Sequence, residues 1–376
     1  MNRIMNIASI IDNQFYLSGV NAYWSSMARA LEILGHTIHT IGLDSGVHPW
    51  NTGLFDSLVG RSHRFHVNGS NEAHLEQGAS LFLAVAPDVV FHHYSDFGID
   101  LSLRLRSKSR KRGWKDVYVC HSDDPDHYDR IRRWKCELSH ILCVSGVCQR
   151  HVVNSLGFDS EATSVNQYFF VPPANRIAGD PSQCRMSLKS LKSAKILYAG
   201  RLETYQKRAG DLVALSRALD DSQVDYVLHV AGSGSMEDDL RMRLKAAVKE
   251  GRVIFHGYLC ENELFGLMEK SNIYVSFSEF EGISTSLIQA MHFGLVPIIT
   301  PTASGSNFLT HESDALFFDV GDMNRLAELI RGVLTGVYDY GRIVENVAAT
   351  VERSFSIDRS KSQLAQTLDR IEKRSR

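Results

Sequence analysis

The chain has 376 residues, of which 44% are hydrophobic and 22% charged, with a formal net charge of −2. That length suits two domains with substantial cores, and the balanced charge gives no global attraction to nucleic acid. Six cysteines (Cys120, Cys136, Cys143, Cys148, Cys184, Cys260) form no C-x-x-C pair, and no His cluster has zinc spacing. The expectation is therefore reduced thiols in a cytoplasmic protein without a metal site. The N-terminal run MNRIMNIASIID lacks the length of a signal sequence. No uncharged run approaches the roughly 20 residues that span a bilayer.

In chain order, short apolar runs alternate with longer amphipathic stretches. Strands are expected at 4–11, 36–43, 87–94, 116–122 and 141–145, with a helix at 21–34 between the first two. A break follows at FFVPPANRIAGDPSQ (169–183), which holds three of the eight prolines and reads as a linker. The pattern then restarts. Strands are expected at 194–200, 224–232, 253–257, 272–278 and 296–300; helices from about 210 and at 236–249, 285–293, 326–336 and 358–373. Continuous apolar strands separated by helices predict parallel sheets covered on both faces, built from right-handed βαβ units. The fold class is α/β, with two doubly wound domains and ligands at the carboxyl ends of strands.

Three segments carry candidate chemistry. In EFEGISTSLIQAMHFGLVP (279–297), a strand leads through a loop into a helix that Ser284 or Thr285 can cap and Gly294 can end. Such a helix start favours an anion, with Glu281 beside it and Gln289 along the helix. In YAGRLETYQKRAGDL (198–212), Arg201 and Lys207 follow a strand end, where two cations can offset a diphosphate. In LHVAGSGSMEDDL (228–240), Gly232 and Gly234 give a G-x-G turn, but Met236 and Glu237 stand where a third glycine is due. That is a tight βα turn and not a dinucleotide fingerprint. Each segment alone also reads as ordinary structure: a capped crossover, two solvated cations, a turn.

Taken in order, the segments resemble the group 1 retaining glycosyltransferases of GT-B fold, family 4-like. The landmarks are GRL with Lys-Arg at 200–208, the G-x-G turn, VIFHGYLCENELFGLMEKSNIYVSFSEFEG (253–282), AMHFGLVPIIT (290–300) and LFFDVGDMNRLAELI (316–330), with a last helix after FSIDRS. Ser18-Gly19-Val20, LEILGHTIHTI and PDVVFHH look similar to the family's first half. The resemblance implies two facing Rossmann-like domains with an interdomain cleft: 1–170 on the acceptor side, 182–356 binding the nucleotide sugar, and a helix at 357–376 packing back on the first. Carried over residue by residue, Glu281, His121, Arg201 and Lys207 are the catalytic group. Gly19, Gly232, Gly282, Ile283, Ser284, Thr285 and Gln289 are donor-binding. Two departures stand out. Gln289 replaces the usual second Glu of a Glu–seven residues–Glu pattern, and Ser304-Gly305-Ser306-Asn307 replaces a Gly pair followed by an acid.

The activity so implied is retaining transfer of a hexose-type sugar from a nucleotide diphosphate sugar, UDP favoured, to a glycan or lipid-linked acceptor. Neither metal nor cofactor is expected, because Arg201, Lys207 and a helix start can meet the diphosphate charge. His121 would position the sugar; by itself it also reads as a core histidine after a buried strand. DDPD (123–126) reads as a solvated or acceptor-facing loop and not a metal pair. The runs RLRSKSRKRGWK (104–115) and RIRRWK (130–135) hold seven and four basic residues, each with a Trp. They suit an anionic acceptor, an anionic membrane surface on the inner face, or a plain solvated helix face. No nucleic acid is expected. Two other readings stay open: a sugar-nucleotide epimerase of the same fold, and a non-catalytic nucleotide-sugar-binding subunit, which Gln289 favours.

Overall fold

Apolar runs such as Val89-Val90-Phe91 and Ile141-Leu142 are almost wholly buried, as strands covered on both faces must be. The computed structural model describes residues 3–12, 19–44, 60–67, 70–108, 113–171 and 193–374. It divides into two units, residues 1–169 with 357–376, and residues 170–356.

Unit 1 runs β1 (Asn6–Asp12), α1 (Gly19–Ile33), β2 (Thr37–Asp44), β3 (Arg61–His66), α2 (Asn71–Val85), β4 (Val89–His93), α3 (Asp96–Lys108), β5 (Lys115–Cys120), α4 (Pro125–Arg133), β6 (His140–Cys143), α5 (Gly146–Asn154) and β7 (Thr163–Val165). Its sheet has the order β3-β2-β1-β4-β5-β6-β7, with every described pairing parallel. The order reverses between β1 and β4, which is where a doubly wound sheet opens a crevice at its carboxyl edge. Trp24 of α1 is fully buried and donates its indole N–H to Thr40 Oγ1 at 2.8 Å, so the largest core side chain leaves no polar atom orphaned.

Unit 2 runs β8 (Ala194–Ala199), α6 (Asp211–Asp221), β9 (Tyr226–Ala231), α7 (Glu237–Arg243), α8 (Lys245–Lys249), β10 (Val253–Gly257), α9 (Glu261–Met268), β11 (Ile273–Ser276), α10 (Thr285–His292), β12 (Val296–Ile299), α11 (Ala303–Ser306), β13 (Leu316–Phe317), α12 (Met323–Thr335) and α13 (Tyr340–Ser354). The sheet order is β10-β9-β8-β11-β12-β13, and its reversal falls between β8 and β11. The final helix α14 (Ile357–Lys373) belongs to unit 1. There Leu364, Leu368 and Ile371 are buried, Thr367 donates to Ser164 at 2.9 Å, and Asn166 donates to Ser360 Oγ at 3.0 Å.

The structure differs from the sequence reading in places. The helix expected at 236–249 breaks at Leu244, whose backbone leaves helical geometry (φ −98, ψ 12). Leu240, Leu244 and Ala247 still bury on one side of the break. The strand β3 was not foreseen, because as an edge strand it buries only Phe65 and reads as polar. Helices α2 to α5 and α13 were likewise not read. Most of the expected linker, from residue 172 on, lies outside the described residues.

Candidate active site

In unit 2 the loops after β8 and β11, the two strands flanking the switch point, converge on one carboxylate. Glu281 is 5% exposed. Its Oε1 accepts from Lys207 Nζ and, at 2.8 Å, from Ser278 Oγ. Its Oε2 accepts from Gln206 Nε2 at 3.4 Å. Gln206 also donates to the Phe280 carbonyl at 3.1 Å, and its Oε1 accepts from Arg201 at 2.6 Å. Arg201, Gln206, Glu281 and Lys207 therefore form one connected cluster. The loop holding both cations is tied from within: the Glu203 carboxylate accepts from the backbone N–H of Gln206 (3.2 Å) and of Lys207 (2.8 Å). Ser278 is fixed in turn by Thr300, whose hydroxyl donates to the Ser278 carbonyl at 2.6 Å.

Beside this cluster, Ser284 is the N-cap of α10 and accepts from the Leu287 N–H at 3.4 Å. The remaining N–H groups of the first turn favour negative charge nearby. Tyr274 shares a hydrogen bond with Ser286 at 2.8 Å. Burial raises the Tyr198 hydroxyl, with Tyr274, Glu203 and Glu281 adding to it, so the phenol stays protonated and donates to the Arg201 carbonyl at 3.0 Å. Gly282 and Gln289 are buried, while Ile283 and Thr285 keep part of their surface.

Gly232 has a packing reason of its own. Its φ is +141, and a Cβ there would meet the Gly200 carbonyl oxygen at 1.9 Å; Gly234 (φ +159) stands likewise against Leu202. The backbone bonds Gly200 N–H to Ala231 O and Leu202 N–H to Ser233 O lock this turn to the loop that carries Arg201. Only glycine permits that approach.

Unit 1 places His121 just past β5. His121 Nε2 lies 2.8 Å from His93 Nδ1. The Tyr23 ring meets His121 edge-on at 5.2 Å, and the His127 ring lies 6.2 Å away. Burial pushes His121 down to about 3. It also pushes His93 and His127 well below the ordinary imidazole value, with His121 adding to both. All three rings are neutral at pH 7. Gly19 opens α1 and is exposed, while Ser18 lies outside the described residues. The acids of DDPD hold local structure. Asp123 accepts from Tyr128, Asp124 caps α4 through the Asp126 N–H, and Asp126 accepts from Tyr94 at 3.3 Å.

Much of each basic run is committed within unit 1. Arg104 pairs with Asp100, and Arg106 with the buried Asp116. Arg130 and Arg133 each approach Asp96 at 3.4 Å, and Lys135 donates to the Leu156 carbonyl. Both indole N–H groups are also used, Trp114 on Ser102 and Trp134 on Asp96. Arg110, Lys111 and Arg112 lie outside the described residues. Among the described residues no helix is long and apolar enough to cross a membrane.

The unit 2 cluster lies inside the part of the chain that comparison identifies. Residues 183–349 match the family model described as glycosyl transferases group 1. That segment carries a group 1 glycosyltransferase domain. Among relatives, the chain is 24% identical over 302 residues to the amylovoran biosynthesis glycosyltransferase AmsK of Erwinia amylovora, covering 76% of this chain and 71% of that protein. It is 25% identical over 156 residues to the 2-deoxystreptamine N-acetyl-D-glucosaminyltransferase of Niallia circulans, covering 41% and 40% of the two chains. The structure of HepE from Anabaena in complex with UDP and glucose superposes with a TM-score of 0.78 at 16% identity, over 97% of this chain and 99% of that one. The galactosyltransferase WaaB superposes with a TM-score of 0.69 at 17% identity, over 96% and 98%. Likeness at that identity shows the fold, which is the α/β GT-B architecture of two Rossmann-like parallel sheets.

Sequence reasoning passed over Glu203, Gln206, Ser278 and His93. The polar run ETYQK between the two named cations was a usable signal for the first two. Ser278 and His93 gave none: the Ser278 hydroxyl reaches Glu281 only through the turn of the loop after β11, and His93 meets His121 only through the pairing of β4 with β5.

Proposed function

We propose that this glycosyltransferase moves a hexose-type sugar from a UDP-sugar to a glycan or lipid-linked acceptor, with retention at the anomeric carbon and without a metal. The observation that carries the proposal is the Arg201–Gln206–Glu281–Lys207 cluster beside the capped start of α10, at the switch point of a doubly wound sheet. Lys207 has three N–H donors, so its bond to Glu281 leaves capacity for a phosphate oxygen. With Arg201 and the α10 start it would stabilise the charge that develops on the leaving diphosphate. Glu281 would accept hydroxyls of the donor sugar. Gln289 would bond the ribose as a neutral group, weaker than a carboxylate by about 1 kcal/mol. Attack from the face of the departing phosphate lets that phosphate take the acceptor proton, so no separate base is named. His121 would position a sugar hydroxyl.

Support for UDP comes from HepE, whose structures hold UDP with glucose and UDP-glucose. Support for a lipid-linked or glycan acceptor comes from relatives named for a diphospho-undecaprenol acceptor in Campylobacter jejuni and for lipopolysaccharide in Escherichia coli. For the basic runs the proposal is contact with the anionic part of such an acceptor, or with an anionic membrane surface, through Arg132 and Arg133, which stay exposed while paired with Asp129 and Asp96. The test is a metal-free thermal-shift panel with UDP, GDP and ADP. At 100 times its Kd a ligand adds about 2.7 kcal/mol, or a shift of roughly 2–4 °C. A shift with UDP alone is expected, and no shift with any of the three overturns the donor reading.

A further inference from the structure

We infer that His93 is a positioning residue that holds His121 in its Nδ1–H tautomer, so that His121 offers a hydrogen-bond donor to a substrate oxygen. The inference rests on the sugar-positioning reading of His121 given above. His93 ends β4, the strand flanking the unit 1 switch point, and is fully enclosed. Its Nδ1 lies 2.8 Å from His121 Nε2. A neutral imidazole carries one N–H and one lone pair, so this contact admits two arrangements. In one, His93 Nδ1–H donates and His93 Nε2 is a bare lone pair. In the other, His121 Nε2–H donates and His93 must carry its own hydrogen on Nε2.

The second nitrogen of His93 decides between them. His93 Nε2 is buried with no hydrogen-bond partner among the described residues. A buried N–H without an acceptor is rarer and less tolerated than an unused acceptor. The lone pair therefore belongs at Nε2, and His93 donates from Nδ1. His121 then accepts at Nε2 and must carry its hydrogen on Nδ1. His121 keeps part of its surface where His93 keeps none, so the donor sits on the ring that a ligand can reach. The neighbours hold the pair in place, with Trp24 against His93 at 5.3 Å and Tyr23 against His121 at 5.2 Å. His127 does not compete for the contact, since its Nδ1 lies 2.8 Å from the Tyr118 hydroxyl, which needs an acceptor. Burial keeps both members of the pair neutral at pH 7, so the hydrogen is divided between tautomers and not added.

The experiment is a long-range proton–nitrogen correlation on the full chain labelled with nitrogen-15 histidine at pH 7. His121 is assigned by the signals that disappear in His121→Ala. The Nδ1–H pattern is expected, and an Nε2–H pattern for His121 overturns the inference. Two variants separate positioning from packing, with thermal unfolding as the folding control. His93→Phe keeps a ring and removes the donor. His93→Asn returns an amide N–H near the lost Nδ1–H. The fixed tautomer should be lost with Phe and kept with Asn. Release of UDP from UDP-glucose, UDP-galactose or UDP-N-acetylglucosamine, whichever the enzyme turns over, should fall about five- to tenfold with Phe and recover with Asn. An Nδ1–H pattern that persists in His93→Phe removes His93 from the role. If the tautomer follows His93 but His121→Ala turns over like the parent, the sugar-positioning reading fails by itself.

Discussion

The two units share a sheet topology and differ in what stands at the carboxyl edge of the strands. Beside the β8/β11 switch point of unit 2, the side chains carry fixed charge: Lys207 against Glu281, Arg201 held by Gln206, and the helix start behind Ser284. Beside the β1/β4 switch point of unit 1 stand the neutral rings of His93, His121 and His127, none of them bonded to a carboxylate among the described residues. A doubly wound sheet therefore fixes where a ligand can sit without fixing its charge. On the proposed reading, unit 2 meets the anionic diphosphate. Unit 1 offers uncharged donors and acceptors, which suit hydroxyl groups.

The hardest way to break this comparison is to remove the unit 2 cation. Lys207→Ala should lower turnover of the UDP-sugar about 100- to 1,000-fold. It should also cost about 3 kcal/mol of stability, because it leaves the enclosed Glu281 carboxylate unpaired. Denaturant unfolding and UDP release measure the two effects separately. Glu281→Gln keeps the shape and removes the charge, and unchanged turnover in that variant would take Glu281 out of the site.

A smaller effect separates the units by pH. Burial lowers seven described histidines in unit 1 (His36, His39, His63, His93, His121, His127, His140) and three in unit 2 (His229, His256, His292). An unfolded imidazole titrates near 6.5 and these titrate lower, so below pH 6.5 the unfolded chain binds more protons than the folded one. Their contribution is complete above pH 6.5. It is lost as pH falls toward about 4 for His39 and His229, and toward about 3 for His121 and His140. The wholly buried His140 alone accounts for at most about 5 kcal/mol. Hydrogen exchange at pH 7 and pH 5 should show unit 1 losing protection first; equal loss in both units would contradict the count. The mildest change is Gln289→Glu, which restores a carboxylate at a buried position of α10. UDP should bind about fivefold tighter, and calorimetry with unchanged affinity would place the ribose elsewhere.

Legibility followed burial. Strands covered on both faces, such as Val89–His93 and Ile273–Ser276, announced themselves as apolar runs. The polar edge strand RSHRFH did not, and neither did helix α3, whose basic end reads as a surface patch until Arg106 is seen on the buried Asp116. Ser284 as a cap and Gly294 past the helix end were readable because capping is a local property.

By itself the sequence determined the α/β alternation, the order of the landmarks, and the presence of one acid and two cations in the loops that follow two strands of unit 2. These depend on residue type and local spacing. Only the tertiary structure decided that Gln206 joins Arg201 to Glu281, that Gly232 is required by the Gly200 carbonyl, and that His93 stands against His121. Each of those contacts lies between loops or strands brought together by the order of a parallel sheet, and nothing in the spacing along the chain encodes it.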